Sequence, residues 1–316
     1  MTEEVYMRQP PGFIHPQFPN HVCHLRKAIY GLKQAPRAWL YRFSSFLLSR
    51  GFICSKSDNS LFIYRHGSSV FYLLLYVDDI IITGNSPSFI YSFISCLGRY
   101  FAMKDLGDLH FSLGVQAVRL SKGLFLSQQK YVSDLLARFH LHTLKHVRTP
   151  LPSRTKLSLT DGELLADPTK YRSMRIFRYL QGTSAHGLLL QPDRSSPTVN
   201  AYSDADWAGC PDSSWSTSGF AIFLGPNLFS WKSKKQPTVS RSSTEAEYRA
   251  IAYTVQDTLH IRSILFELGV PIRTPVRLLC DNVSASYLST NPIQHARSKH
   301  ISIDYLLFEN VSHMEI

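Results

Sequence analysis

The sequence predicts an α+β fold carried by two successive domains. Three observations carry that reading. Two apolar, aromatic and β-branched runs, 71–75 and 80–83, flank the pair Asp78-Asp79. This is the pattern of a buried hairpin with carboxylates at its tip. Through the first half, stretches with helical spacing alternate with strand-like runs, as mixed folds require. In the second half, three strand-like runs precede one long helical stretch and a further strand.

The elements follow in order. Residues 1–24 hold Pro10, Pro11, Pro16 and Pro19, which rule out a regular helix. Pro36 can open a helix and Gly51 can close it. Trp39, Phe43, Phe46 and Leu47 share one face at helical spacing and read as core. Strands are expected over 52–64 and 70–83 around a His66-Gly67 turn. A helix is expected over 86–101, strands over 109–120 and 124–126 around Lys122-Gly123, and a third helix over 128–138. The zone 149–197 is weaker, with Pro150, Pro152, Pro192 and Pro197. Strands are then expected over 199–203, 219–224 and 228–231. Thr244 reads as an N-cap with Glu247 as its capping-box partner. That helix runs to Leu268 and stops at Gly269. The run 276–280 reads as a strand with Asp281 at its end.

At 316 residues the chain has room for two domains that each bury a core. A hydrophobic content of 44% against 18% charged residues is that of a folded protein. Lys plus Arg outnumber Asp plus Glu by 34 to 23, a net charge of +11. That surplus favours a polyanion, and phosphate backbones are the obvious one. The five cysteines are scattered, without a CxxC pair, which argues against a disulfide framework or zinc ribbon and fits a reducing compartment. The acidic, polar start reads as no signal peptide, and Asp78 and Asp79 break the longest apolar stretch, so no membrane span is expected. The expected setting is intracellular, cytoplasmic or nuclear. His140, His142 and His146 sit in a polar segment with no Cys or carboxylate cluster nearby and read as loop residues, not ligands.

Burying adjacent carboxylates is costly unless a cation neutralises them. Mg²⁺ does so with carboxylate and phosphate oxygens, and two such ions serve phosphoryl transfer. The plainer alternative is a polar turn, where Asp is common.

Longer motifs decide between these. Upstream of Tyr76-Val77-Asp78-Asp79 lie Glu4-Val5-Tyr6-Met7, Gln9-Pro10-Pro11-Gly12-Phe13 and Ala28-Ile29-Tyr30-Gly31-Leu32-Lys33-Gln34-Ala35-Pro36-Arg37-Ala38-Trp39. Downstream lie Met103-Lys104-Asp105-Leu106-Gly107 and Ser112-Leu113-Gly114. This order resembles the reverse transcriptase of copia-type retrotransposons, most closely the plant ones. Tyr202-Ser203-Asp204-Ala205-Asp206-Trp207-Ala208-Gly209, Ser242-Ser243-Thr244-Glu245-Ala246-Glu247-Tyr248 and Cys280-Asp281-Asn282 then resemble the ribonuclease H domain of the same polyprotein.

The resemblance implies a partial reverse-transcriptase palm domain over 1–148, a shortened connection over 149–197, and an incomplete ribonuclease H-like α/β domain over 198–316. It assigns polymerase metal binding to Asp78 and Asp79, with Tyr76 and Val77 shaping the turn against primer or template. Lys33, Gln34 and Arg37 would lie by the incoming nucleotide, and Leu113-Gly114 would form the primer-grip turn. Asp204, Glu247 and Asp281 map onto three of the four ribonuclease H acids. On two strand ends and one helix they can converge on a metal pair, while Asp206 and Glu245 are neighbours. The implied cofactor is Mg²⁺, and the implied partners are RNA, DNA, their hybrid and nucleotides.

Three departures are expected to impair catalysis. The family's first polymerase Asp falls ahead of the Glu4-Val5-Tyr6-Met7 segment. Its last ribonuclease H Asp falls beyond the final strand, and Asp304 is no substitute. Tyr171-Arg172-Ser173-Met174 runs straight into Arg175-Ile176-Phe177-Arg178, where the family has a helical connection. The rival expectation is a non-catalytic, basic nucleic-acid-binding remnant or pseudogene product.

Overall fold

A computed structural model describes residues 4–27, 29, 31–32, 34–139, 141, 145–150, 158, 168–193, 195, 197–290 and 314–315. The chain divides into two compact units, Met1–Asp105 and Leu106–Ile316. Helix and strand are mixed in both, as an α+β fold requires.

The first unit opens with β1 (Tyr6–Arg8) and β2 (Val22–His24), an antiparallel pair. The prolines between them cannot donate hydrogen bonds, and the Gln9 side chain takes over. Its Nε2 donates to the carbonyls of Phe18 (2.8 Å) and His21 (2.9 Å), and its Oε1 accepts from the His15 N–H (2.7 Å). Helix α1 (Ala35–Ser49) follows, with Pro36 in its first turn. Gly51, at φ +86°, turns the chain into β3 (Ile53–Cys54), and β4 (Leu61–His66), β5 (Ser69–Tyr76), β6 (Asp79–Gly84) and α2 (Pro87–Tyr100) complete the unit. The four strands form one antiparallel sheet in the order β3-β4-β5-β6.

The single strand expected over 52–64 is broken. The Ser55 hydroxyl accepts from the N–H groups of Ser57 and Asp58, and the Asp58 carboxylate accepts from the Ser60 N–H. Such side-chain turns compete with the ladder. Phe71, Leu73 and Leu75 alternate inward along β5; Leu73 and Leu75 meet Phe43 and Leu47 of α1 and Phe93 and Leu97 of α2 in one core, and Phe71 stacks on Phe89 of α2.

Among its described residues, the second unit holds two sheets. β7 (Phe111–Ser112), β8 (Val115–Leu120) and β9 (Gly123–Ser127) precede α3 (Gln129–Arg138) and α4 (Pro168–Thr183). β10 (Gly187–Leu190) returns to pair with β9, giving the antiparallel order β10-β9-β8-β7. A strand from the zone expected to be a connection thus pairs with residues N-terminal to it. The resemblance implies a division at 148/149, whereas compactness divides the chain at 105/106. Helix α4 runs unbroken through Met174, where the sequence predicts a deletion. His140, His142 and Asp304 lie outside the described residues.

The second sheet contains β11 (Val199–Asp206), β12 (Thr217–Leu224) and β13 (Asn227–Lys235), then, after α5 (Ser243–Glu267), β14 (Val276–Leu279), α6 (Val283–Thr290) and β15 (Met314–Glu315). Its order is β13-β12-β11-β14-β15; the first three strands are antiparallel, and β14 and β15 run parallel to β11. Val199, Ala201, Phe220, Ile222 and Val276 pack under Tyr248, Ile251 and Val255 of α5.

The cap of α5 corrects one expectation. Ser242, not Thr244, is the N-cap: its hydroxyl accepts from the Glu245 N–H (3.1 Å), and Glu245 reaches back to the Arg241 N–H (3.0 Å). Glu247 is thereby left out of the cap.

Candidate metal centre

Two groups of acids stand on these elements, and each is built differently. In the first unit, β5 and β6 pair as far as Tyr76 opposite Asp79, so Val77 and Asp78 make a two-residue turn. Val77 lies at φ +54°, uncommon for a β-branched residue. Such strain costs of order 1–3 kcal/mol and needs surrounding structure to hold it. Part of that support is Trp39 of α1, whose indole N–H donates to the Val77 carbonyl at 2.6 Å. Its ring also packs edge-on against Phe101.

β5 buries Phe71, Leu73 and Leu75 and β6 is half-buried, but the hairpin's tip is open to solvent. Tyr76, Val77, Asp78 and Asp79 are all exposed, so the expectation of buried carboxylates is corrected: the apolar flanks stop short of the turn. Among the described residues, no third His, Cys, Asp or Glu clusters with these two acids. Gln34 caps α1 with its backbone only and Arg37 is exposed, while Lys33 lies outside the described residues. Leu113 and Gly114, in the second unit, form the tight turn between β7 and β8, both at positive φ (+51° and +79°).

In the second unit, Asp204 sits on β11 opposite Gly219 of β12, Glu247 lies in the second turn of α5, and Asp281 follows β14. Glu247 is only 6% exposed. Its Oε1 accepts from the Ala205 N–H at 3.2 Å, and its Oε2 faces the Cys280 thiol at 3.8 Å. Donor atoms of Glu247, Cys280 and Asp281 all lie within 4.8 Å of one another. Asp204 is exposed and stands outside that group, yet its charge reaches Glu247.

The electrostatics follow from that crowding. Burial pushes the Glu247 carboxyl above the usual carboxylate range, the Ala205 N–H opposes this, and the charges of Asp204 and Asp281 push it further. Burial likewise raises the Cys280 thiol, with Glu247 and Asp281 adding to the effect. Negative groups thus converge on a partly buried spot. A divalent cation there would reverse each repulsive interaction, so the donor set fits a metal ion. The neighbouring acids serve the fold. Asp206 accepts from the Thr217 N–H, and Glu245 pairs with Arg249 at 2.6 Å besides capping α5.

Cys280 is the residue that sequence reasoning missed. Its cue was adjacency to Asp281, whereas cysteines were weighed only by their spacing from one another.

Residues 1–153 match the family described as reverse transcriptase (RNA-dependent DNA polymerase). The retrovirus-related Pol polyprotein from transposon RE1 of Arabidopsis thaliana is 45% identical over 98% of this chain, and the chain spans 24% of that polyprotein. The corresponding polyprotein from transposon TNT 1-94 of Nicotiana tabacum is 35% identical over 96% of the chain, which spans 26% of it. The RE1 match is 347 residues long against a chain of 316, so that relative carries residues within the matched stretch that this chain lacks. A foamy viral protease–reverse transcriptase, solved in complex with dsDNA, aligns over 92% of this chain and 60% of its own, with 11% identity and a TM-score of 0.40. On the sequence matches, the chain belongs to the copia-type retrotransposon Pol family.

Proposed function

We propose that the chain retains a divalent-cation-dependent ribonuclease H site on Asp204, Glu247 and Asp281, beside an inherited but catalytically impaired polymerase site at Asp78 and Asp79. By inheritance, 1–148 is polymerase, 149–197 a shortened connection and 198–316 ribonuclease H-like. One observation carries the reading: a carboxylate that is almost fully buried, Glu247, points among two other acids and a thiol at the convergence of β11, α5 and β14. An acid in that setting is costly without a cation. The sheet order β13-β12-β11-β14-β15, with α5 crossing between β13 and β14, supports the ribonuclease H-like assignment.

When bound, Mg²⁺ supplies charge that activates the attacking oxygen and stabilises the leaving one. The protein's own part is placement. Glu247 is fixed by the Ala205 N–H, and Asp204 and Asp281 flank it from two strand ends. At the hairpin, the exposed pair Asp78 and Asp79, with no third donor among the described residues, gives little metal placement, and placement is most of what phosphoryl transfer needs.

The partners are RNA, DNA and their hybrid, held through phosphates by the net charge of +11. Lys232 and Lys234 stand exposed on the edge strand β13 beside Trp231, which is 62% exposed. Nucleotides would meet Lys33, Gln34 and Arg37, and the primer the turn at Leu113-Gly114.

The test is cleavage of the RNA strand of a hybrid in Mg²⁺ or Mn²⁺, run beside primer extension. Cleavage that is lost in Asp281→Asn and kept in Asp78→Asn, with no extension by either, is the expected result. Templated extension that disappears in Asp78→Asn would overturn the impairment. Hybrid binding without any cleavage would favour the basic, non-catalytic remnant.

A further inference from the structure

The donor set around Glu247 is not all oxygen. The Cys280 sulfur lies 3.8 Å from Glu247 Oε2 and within 4.8 Å of a carboxylate oxygen of Asp281. Mg²⁺ takes oxygen ligands, whereas thiolates select softer cations. A tetrahedral Zn²⁺ with bonds of about 2.3 Å to sulfur and about 2.1 Å to oxygen holds those two donors roughly 3.6 Å apart. The observed separation already lies close to that.

We infer that Cys280 turns this centre into a mixed sulfur–oxygen site that captures a thiophilic divalent cation, Zn²⁺ or Cd²⁺, through Cys280, Glu247 and Asp281. The inference rests on the metal reading of Glu247 and Asp281 and adds a second class of cation to it. Capture is an exchange without redox change: the sulfur–metal bond forms, the S–H bond breaks, and the proton leaves to solvent. Three protein donors leave one position of a tetrahedral cation for water. A thiophilic ion seated there excludes Mg²⁺ from the same carboxylates, so trace Zn²⁺ silences the centre.

The test uses the full chain with Cys23, Cys54, Cys96 and Cys210 replaced by Ser and Cys280 kept. Cd²⁺ is titrated in, and the ultraviolet thiolate-to-cadmium charge-transfer band is read. A saturable band is expected, lost on adding Cys280→Ser and shifted to higher Cd²⁺ by Asp281→Asn. If the four-serine chain does not melt cooperatively, the difference spectrum between the natural chain and its Cys280→Ser variant gives the same reading. Absence of the band, or its survival in Cys280→Ser, would overturn the inference. Mn²⁺ binding without a cadmium band removes the sulfur and leaves the magnesium reading standing. A cadmium band without Mn²⁺ binding upholds the sulfur site and removes the magnesium reading.

Discussion

Asp78 and Asp79 stand exposed on a two-residue turn, while Glu247 is almost fully buried with Asp281 and Cys280 close beside it. Asp78, Asp79 and Asp281 sit at strand ends and Glu247 on α5, each beside elements whose side chains build a core. At the hairpin the core stops short of the turn, and water solvates the charge. At α5 the helix itself carries the acid inward, with Tyr248 and Ile251 on the same helix fully buried. The same residue type is therefore cheap in one place and costly in the other, and only the costly placement calls for a cation.

The largest effect that sharpens this contrast is packing. Ile251→Ala removes a side chain at 0% exposure behind Glu247 and is expected to cost about 2–5 kcal/mol. Tyr76→Ala at the exposed tip is expected to stay within about 0.5–1 kcal/mol. Chemical denaturation measures both, and equal losses would erase the contrast.

Protonation comes next. The Glu247 carboxyl is raised in the fold, so the native state holds its proton more tightly than the unfolded chain. Its contribution is fully present below the ordinary carboxylate range and is lost as pH rises through the raised value. Glu247→Gln should therefore raise the melting temperature in metal-free buffer at neutral pH and leave it nearly unchanged near pH 4. A gain confined to acid pH would reverse the sign and refute the burial argument.

Smaller effects test the supports. Ser242→Ala should cost roughly 1 kcal/mol by removing the cap of α5, and Thr244→Ala clearly less. Trp39→Phe keeps the ring contacts but removes the donor to Val77, at a cost of about 0.5–1.5 kcal/mol. Thermal melts read both, and the reverse ranking of Ser242 and Thr244 would restore the cap that the sequence suggests.

These cases show where the sequence is legible. Periodicity made the strands β4 to β6 and β11 to β14 visible, because alternate burial is a short-range pattern, whereas β1, β2 and β10 lie in Pro-containing stretches that hid them. The cap was ambiguous for a definite reason: Ser242 precedes Glu245 by three residues, as Thr244 precedes Glu247, so the same signature occurs twice. The break after β3 depends on Ser55 and Asp58 bonding nearby N–H groups, a local choice that composition does not reveal. The acids were found through the order of long motifs. The exposure of Asp78 and Asp79, the burial of Glu247 and the approach of Cys280 were not, because each depends on what a distant element brings.

The cation site proposed for this chain lies at Glu247 and Asp281 and not at the hairpin tip. Mn²⁺ binding followed by loss of the free-ion electron paramagnetic resonance signal tests it directly. The natural chain, Asp78→Asn and Asp79→Asn are predicted to bind Mn²⁺ alike, and Glu247→Gln and Asp281→Asn to lose binding. Binding that survives in Asp281→Asn and disappears in Asp78→Asn would contradict the account.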